Sequence, residues 1–168
     1  MKRKIVFLGL FGVVILMLGV GIILRREPSG LKVYASLDAE RFLAGQPIVA
    51  RCKLVNEGDT PVSILTPSLD EWTFEVIVYT SQGKRHPYAH RKVFVESRDA
   101  GRPLAAGESV PIEVDLTKEY QLPPGTYSLR ATYRTLNYPR NDVWYGIVKS
   151  EPIIFEIVAD ASTATVDP

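Results

Sequence analysis

A chain of 168 residues, 46% of them apolar, with one cysteine and a formal net charge of +1, has room for one modest domain and an appendage. The lone cysteine, Cys52, excludes an intramolecular disulfide and any cysteine-based metal site. Setting aside the five basic and one acidic side chains of residues 1–27 leaves 15 against 18, a net charge of −3 over residues 28–168. Such a domain lacks the basic surface that nucleic-acid binding requires.

Residues 1–4 form a basic tail, and Ile5 to Leu24 is an apolar run without a single charge. Twenty helical residues at about 1.5 Å rise cover roughly 30 Å, the thickness of a bilayer's hydrocarbon core. A cleaved signal would have a shorter apolar stretch ending in small residues, whereas Arg25 and Arg26 stand where cleavage would fall. A retained transmembrane anchor over 5–24 is therefore expected. Lys2, Arg3, Lys4 and the free amine outweigh Arg25 and Arg26, which Glu27 partly offsets. The positive-inside rule then keeps the amino terminus in the cytoplasm and places residues 28–168 outside, as a single-pass protein of the cytoplasmic membrane. Gly9, Gly12, Gly19 and Gly21 make no GxxxG pair, so helix dimerisation is not signalled.

Residues 25–30 read as a hinge, with turn chemistry in Glu27-Pro-Ser-Gly30. Leu31, Val33, Ala35 and Leu37 then alternate with Lys32, Tyr34 and Ser36, the period of a strand with one dry face. After a turn at Leu43–Pro47, Ile48, Ala50, Cys52 and Leu54 line an inward face, with Arg51 and Lys53 opposite. Asn56-Glu-Gly58-Asp59 is a turn signal, and Val62 and Ile64 open a short strand. Trp72, Phe74, Val76 and Val78 alternate with Thr73, Glu75, Ile77 and Tyr79, and Ser81–Lys84 closes that strand. Val93 and Val95 mark a further short strand.

From Leu104 to Arg134 two alternating runs face each other across a Pro-Gly turn: Val110, Ile112, Val114 and Leu116, then Tyr127, Leu129, Ala131 and Tyr133. Between them Lys118-Glu-Tyr120 can form one helical turn. Leu122-Pro-Pro-Gly125-Thr-Tyr127 has the composition of a tyrosine corner, in which the hydroxyl bonds back to upstream backbone. Leu136 to Lys149 reads as a long connection, Ile153, Phe155 and Ile157 as the last strand, and 159–168 as a disordered tail. About seven or eight short strands with frequent turns predict an all-β, antiparallel two-sheet sandwich over 31–158, with a closed barrel as the other arrangement that alternation allows. Trp72 and Tyr127 are expected to be the largest core members, and Gly125 to set the corner.

The segments LAGQPIVARCKLVNEGDTPV, LAAGESVPIEVDLTKEYQLPPGTYSLRATY and WYGIVKSEPIIFEI together resemble bacterial immunoglobulin-like sandwich domains of exported proteins. The middle segment is also similar to sandwich domains that accompany some secreted metallopeptidases, and to a bacterial proteinase-inhibitor domain. The resemblance implies an immunoglobulin-like fold over about residues 31–158 and no active site. The paired cysteines of antibody-type domains are missing, with Leu129 where a partner of Cys52 would stand, and there is no HExxH.

His86 and His90 are four apart, but Pro87 between them argues for a loop rather than a metal-binding helix face, and they read as exposed loop histidines. Lys84, Arg85, Arg91 and Lys92 lie in a locally basic stretch that suits either an anionic surface or a charged, protected edge strand. Tyr138, Arg140, Trp144 and Tyr145 are residue types that dominate binding hot spots, on a loop at one end of the sandwich; Trp144 could equally fold back over the core. Cys52 is expected to be inward and inert. No catalytic, metal or cofactor set emerges, and no enzyme is expected. The expectation is an extracytoplasmic binding or scaffolding module, membrane-anchored and contacting another envelope or surface protein. The alternative is a peptidase inhibitor or peptidase-accessory domain.

Overall fold

Strand periodicity becomes backbone pairing in ten places in the computed structural model, which describes residues 30–89, 101–136 and 142–160. In chain order the elements are β1 (Leu31–Ser36), β2 (Arg41–Leu43), β3 (Val49–Asn56), β4 (Val62–Ile64), β5 (Phe74–Thr80), β6 (Arg102–Leu104), β7 (Ser109–Asp115), α1 (Leu116–Glu119), β8 (Gly125–Arg134), β9 (Ile147–Lys149) and β10 (Ile153–Val158). The expected basic tail, anchor run, strand at Val93 and Val95, and residues 161–168 of the tail lie outside the described residues. Among the described residues no helix is long and apolar enough to cross a membrane.

The strands form two sheets and a small ribbon. One sheet has the order β1-β3-β7, all antiparallel; the other has the order β2-β10-β8-β5, with β9 also on β8; β4 pairs with β6. The short β2 runs parallel to β10, with Phe42 opposite Ile157. Inner faces of both sheets meet in one core: Leu31, Val33, Ala50, Cys52, Leu54 and Val114 from the first, Phe74, Val76, Val78, Leu129, Tyr133, Phe155 and Ile157 from the second. Each large side chain so buried is worth roughly 1.5–3 kcal/mol relative to exposure. The arrangement is an all-β, two-sheet sandwich.

Several expectations are refined. The runs on β7 and β8 lie in different sheets and do not pair: β7 pairs with β3 and β8 with β5 and β10. The turn between them is a corner joining the sheets, and it holds the expected helical turn. Asp115 caps α1, its carboxylate accepting from Thr117 N at 3.1 Å. Leu136 to Lys149 is not wholly connection, because Ile147–Lys149 pairs with β8. The last strand is in effect broken into β9 and β10 around Pro152, which offers no amide donor. On β7, Pro111 sits opposite Lys53, and β7 is the edge of its sheet.

Trp72 is not a core strand residue. It precedes β5 in a turn with φ 58, in the left-handed region, and is only half-buried. Thr73 is fully buried in its stead, its Oγ1 accepting from Ser68 N at 2.8 Å and donating to Thr66 O at 2.9 Å. The largest fully buried side chains are Tyr120, Tyr133, Phe74 and Phe155.

The corner tyrosine behaves as expected. Gly125 opens β8, Tyr127 is 6% exposed, and its hydroxyl donates to Pro123 O at 2.7 Å. Its ring stacks on Phe155 at 5.6 Å. Tyr127→Phe keeps the ring and loses the bond, so chemical unfolding should show a loss of about 1 kcal/mol. An unchanged midpoint would contradict the role given to the hydroxyl.

The two ends of the sandwich differ. α1 and the Pro-Pro turn join the end of β7 to the start of β8, and the end of β1 and start of β3 lie there too, Ser36 opposite Arg51 and Val49 opposite Asp115. The opposite end carries the start of β1 (Leu31 opposite Asn56), the start of β7 (Ser109 opposite Val55) and the β8–β9 pairing (Arg134 opposite Ile147). Glu57 N donates to Gly30 O at 2.6 Å, the fully buried Asn56 donates through Nδ2 to Leu104 O at 3.0 Å, and Trp144 N donates to Ser63 O at 2.7 Å. These bonds tie the start of the domain to the β8–β9 hairpin.

Candidate functional site

The most concentrated polar chemistry in the described residues is on β5 and was not expected from the sequence. Alternation places Glu75 on the outward side, yet its side chain is only 6% exposed. A hairpin at Ser81–Gly83 turns the chain back so that Thr80 N donates to Lys84 O and His86 N to Val78 O, both at 2.8 Å. This strap, residues 84–89, lays Arg85 and Tyr88 over Glu75. Oε1 of Glu75 accepts from Arg85 Nη2 and from Tyr88 Oη at 2.7 Å; Oε2 accepts from Arg134 Nη2 at 2.9 Å.

A buried carboxylate needs such partners: two guanidinium groups more than offset its charge, and three donors engage both of its oxygens. The guanidinium of Arg85 also lies 5.3 Å from the centre of the Tyr88 ring, and that of Arg134 5.4 Å from the Trp72 ring. Tyr88 in turn stacks on Tyr120 at 4.8 Å, and the Tyr120 hydroxyl donates to Val76 O at 2.7 Å on the edge of β5. Burial, with the neighbouring Tyr120 next in weight, holds the Tyr88 phenol well above the ordinary tyrosine range. Burial pushes Tyr120 up to about 12. With its oxygens so occupied, Glu75 is a joint between strap and sheet rather than an acid or base open to a substrate.

The predicted basic group is thus divided. Lys84 is exposed at the hairpin, Arg85 is engaged by Glu75, and Arg91 and Lys92 lie outside the described residues. His86 is not a freely exposed loop histidine. Its ring packs edge-on to Tyr120 at 6.1 Å and Tyr127 at 5.8 Å; His90 lies outside the described residues. Cys52 is buried, and burial pushes its thiol up to about 12, which keeps it protonated and unreactive at neutral pH.

Of the predicted binding loop, Tyr138 and Arg140 lie outside the described residues. Trp144 folds back: its ring stacks on Tyr133 at 5.7 Å, and its carbonyl accepts from Thr135 Oγ1 at 2.6 Å. Tyr145 remains 40% exposed. At the corner end a hollow of about 220 Å³, lined by Ile48, Tyr120, Leu122 and Ile157 among others, is smaller than the roughly 300–1,000 Å³ of ordinary ligand pockets. Among the described residues no three His, Cys, Asp or Glu side chains gather in a metal-binding group.

Fold and site together define a β-sandwich module. No protein-family model matches the chain, and no curated protein matches it. Among solved structures it is similar to the CARDB domain of a Pyrococcus furiosus protein, solved with di-metal ions, at 14% identity and a TM-score of 0.42, over 76% of this chain and 87% of that one. It is also similar to the C-terminal domain of wzt, at 11% identity and a TM-score of 0.40, over 83% and 85% of the two chains. A third is the alkylpurine DNA glycosylase AlkC of Pseudomonas fluorescens, at 13% identity and a TM-score of 0.40, over 77% of this chain but 30% of that one.

Proposed function

We propose that residues 5–24 hold the chain in the cytoplasmic membrane and that the sandwich is displayed on the outer side. There it acts as an immunoglobulin-like binding or scaffolding module for another envelope protein, without catalytic chemistry of its own. The observation that carries the reading is the uncharged run Ile5–Leu24, separated by only six residues from the first strand at Leu31. The engaged state of Glu75 supports it, since the most deeply buried carboxylate among the described residues serves to fasten the fold. Protease added to spheroplasts should digest the sandwich while a tag on the amino terminus stays protected. Protection of the sandwich would sink the proposal.

One observation favours a second reading, regulation of a peptidase. Trp144 is pinned by its ring and backbone while Tyr145 next to it is exposed, as an inhibitory loop requires. The purified chain should bind an envelope protein without blocking a panel of secreted peptidases. Stoichiometric inhibition abolished by Tyr145→Ala would favour the inhibitor instead.

A further inference from the structure

We infer that the end of the sandwich from which Gly30 emerges rests against the bilayer, with Leu136, Tyr145 and Ile147 entering the head-group zone of the lipid. The inference rests on the anchor proposed above. Six residues, 25–30, separate the apolar run from β1. Fully extended they reach roughly 20 Å. The eight residues of β3 alone cover about 27 Å at 3.4 Å each, so the tether is shorter than the domain is long. The end carrying Leu31 cannot stand far from the membrane surface.

That end also presents an apolar surface. Leu136 is 41% exposed, Tyr145 40% and Ile147 44%. They belong to one face of the β8–β9 hairpin. Arg134 is opposite Ile147, and Thr135 N donates to Gly146 O at 3.0 Å, which sets Leu136 beside Tyr145. Thr135 between them is fully buried, so alternation turns Leu136, Tyr145 and Ile147 to the outside together. The display is rigid: Thr135 Oγ1 donates to Trp144 O at 2.6 Å and accepts from Gly146 N at 3.1 Å. A tyrosine among aliphatic side chains suits the boundary of head groups and acyl chains, where the ring is in hydrocarbon and the hydroxyl in water. Among the described residues, Lys32 pairs with Glu57, Arg102 with Glu108 and Arg134 with Glu75, while Lys149 shares the outward face of Ile147 as an exposed cation. The contact proposed is carried by the three apolar side chains.

The test uses the full chain in phosphatidylcholine vesicles. Cys52 is buried, so a single introduced cysteine can be labelled. An environment-sensitive dye is placed at Ile147→Cys or, at the corner end, at Gln121→Cys. A spin-labelled lipid with its quencher near the head group should quench the dye at position 147 several-fold more than at 121. Adding Leu136→Glu and Tyr145→Glu should bring position 147 down to the level of 121. Equal quenching at the two positions, in a chain that stays with the vesicles through an alkaline carbonate wash, overturns the inference and leaves the anchor standing. Release by the wash overturns both. Dye quenching that follows protein density rather than the quencher lipid means a second copy covers the patch, and also overturns it.

Discussion

Glu75→Ala should lower the unfolding free energy by about 2–3 kcal/mol, the largest loss expected from any single polar side chain here. The variant removes a carboxylate whose side chain is 6% exposed and leaves Arg85 and Arg134 facing each other across the vacated space. A deeply buried pair broken in this way costs about 3–5 kcal/mol. The arginine side chains are 45% and 25% exposed, so water repays part of it. Glu75→Gln should lose less than alanine but still clearly, because an amide keeps one acceptor and carries no charge. Tyr88→Phe removes one of the three donors and should cost about 1 kcal/mol. Urea unfolding followed by circular dichroism measures all three. Hydrogen exchange adds a local readout: in Glu75→Ala the amide of His86, bonded to Val78 O, should lose protection before the amides of β8 do. If the alanine variant unfolds at the wild-type midpoint, Glu75 is not the joint described.

The second large effect is on the alkaline side. Burial raises Cys52 from its ordinary 9.0 to about 12, and burial likewise raises Tyr120 from 10.0 to about 12. Between those values the folded chain holds protons that the unfolded chain has released. The stability contributed is complete below pH 9 and is lost as pH rises towards 12. For Cys52 alone the loss across that window is about 4 kcal/mol, at about 1.36 per pH unit. Domains have about 5–15 kcal/mol in hand, so the loss by pH 12 is a large share of the total stability. Unfolding curves taken at neutral pH and at steps above pH 9 should show midpoints falling continuously. Cys52→Ala should flatten the curve between 9 and 10 and leave the tyrosine-driven fall above it. A flat profile up to pH 11 would show that neither group is as shielded as its burial implies.

Strand positions were legible wherever one face is dry and the other wet. β1 and β3 keep a two-residue period over their length and β8 keeps it as far as Ala131, and Ala50, Cys52 and Leu54 point inward as their spacing implies. The corner was legible because Pro, Gly and Tyr each have a distinct backbone or bonding requirement at fixed offsets. Sheet membership was not, since nothing in the alternation of β7 and β8 says whether they pair or oppose each other. Thr73, Phe74 and Glu75 in succession are all buried, so periodicity fails at the start of β5, where both faces are covered. That failure hid the joint at Glu75 and put Trp72 in the core on paper. The signal that could have exposed it is the Gly83 turn, which returns Arg85 and Tyr88 to the strand carrying an acidic residue. In the predicted loop, Trp144 and Tyr145 are neighbours of similar composition, and only the stacking on Tyr133 separates an inward anchor from an outward ring.

The proline on β7 has a consequence for crowding. Proteins confined to a plane meet one another far more often than in free solution, and an open strand margin invites lateral zipping into filaments. Pro111 takes one amide out of that margin, and Lys53 on the neighbouring strand sits directly opposite it. In a chain held in the membrane as proposed, this flank is a poor template for a second copy to extend the sheet.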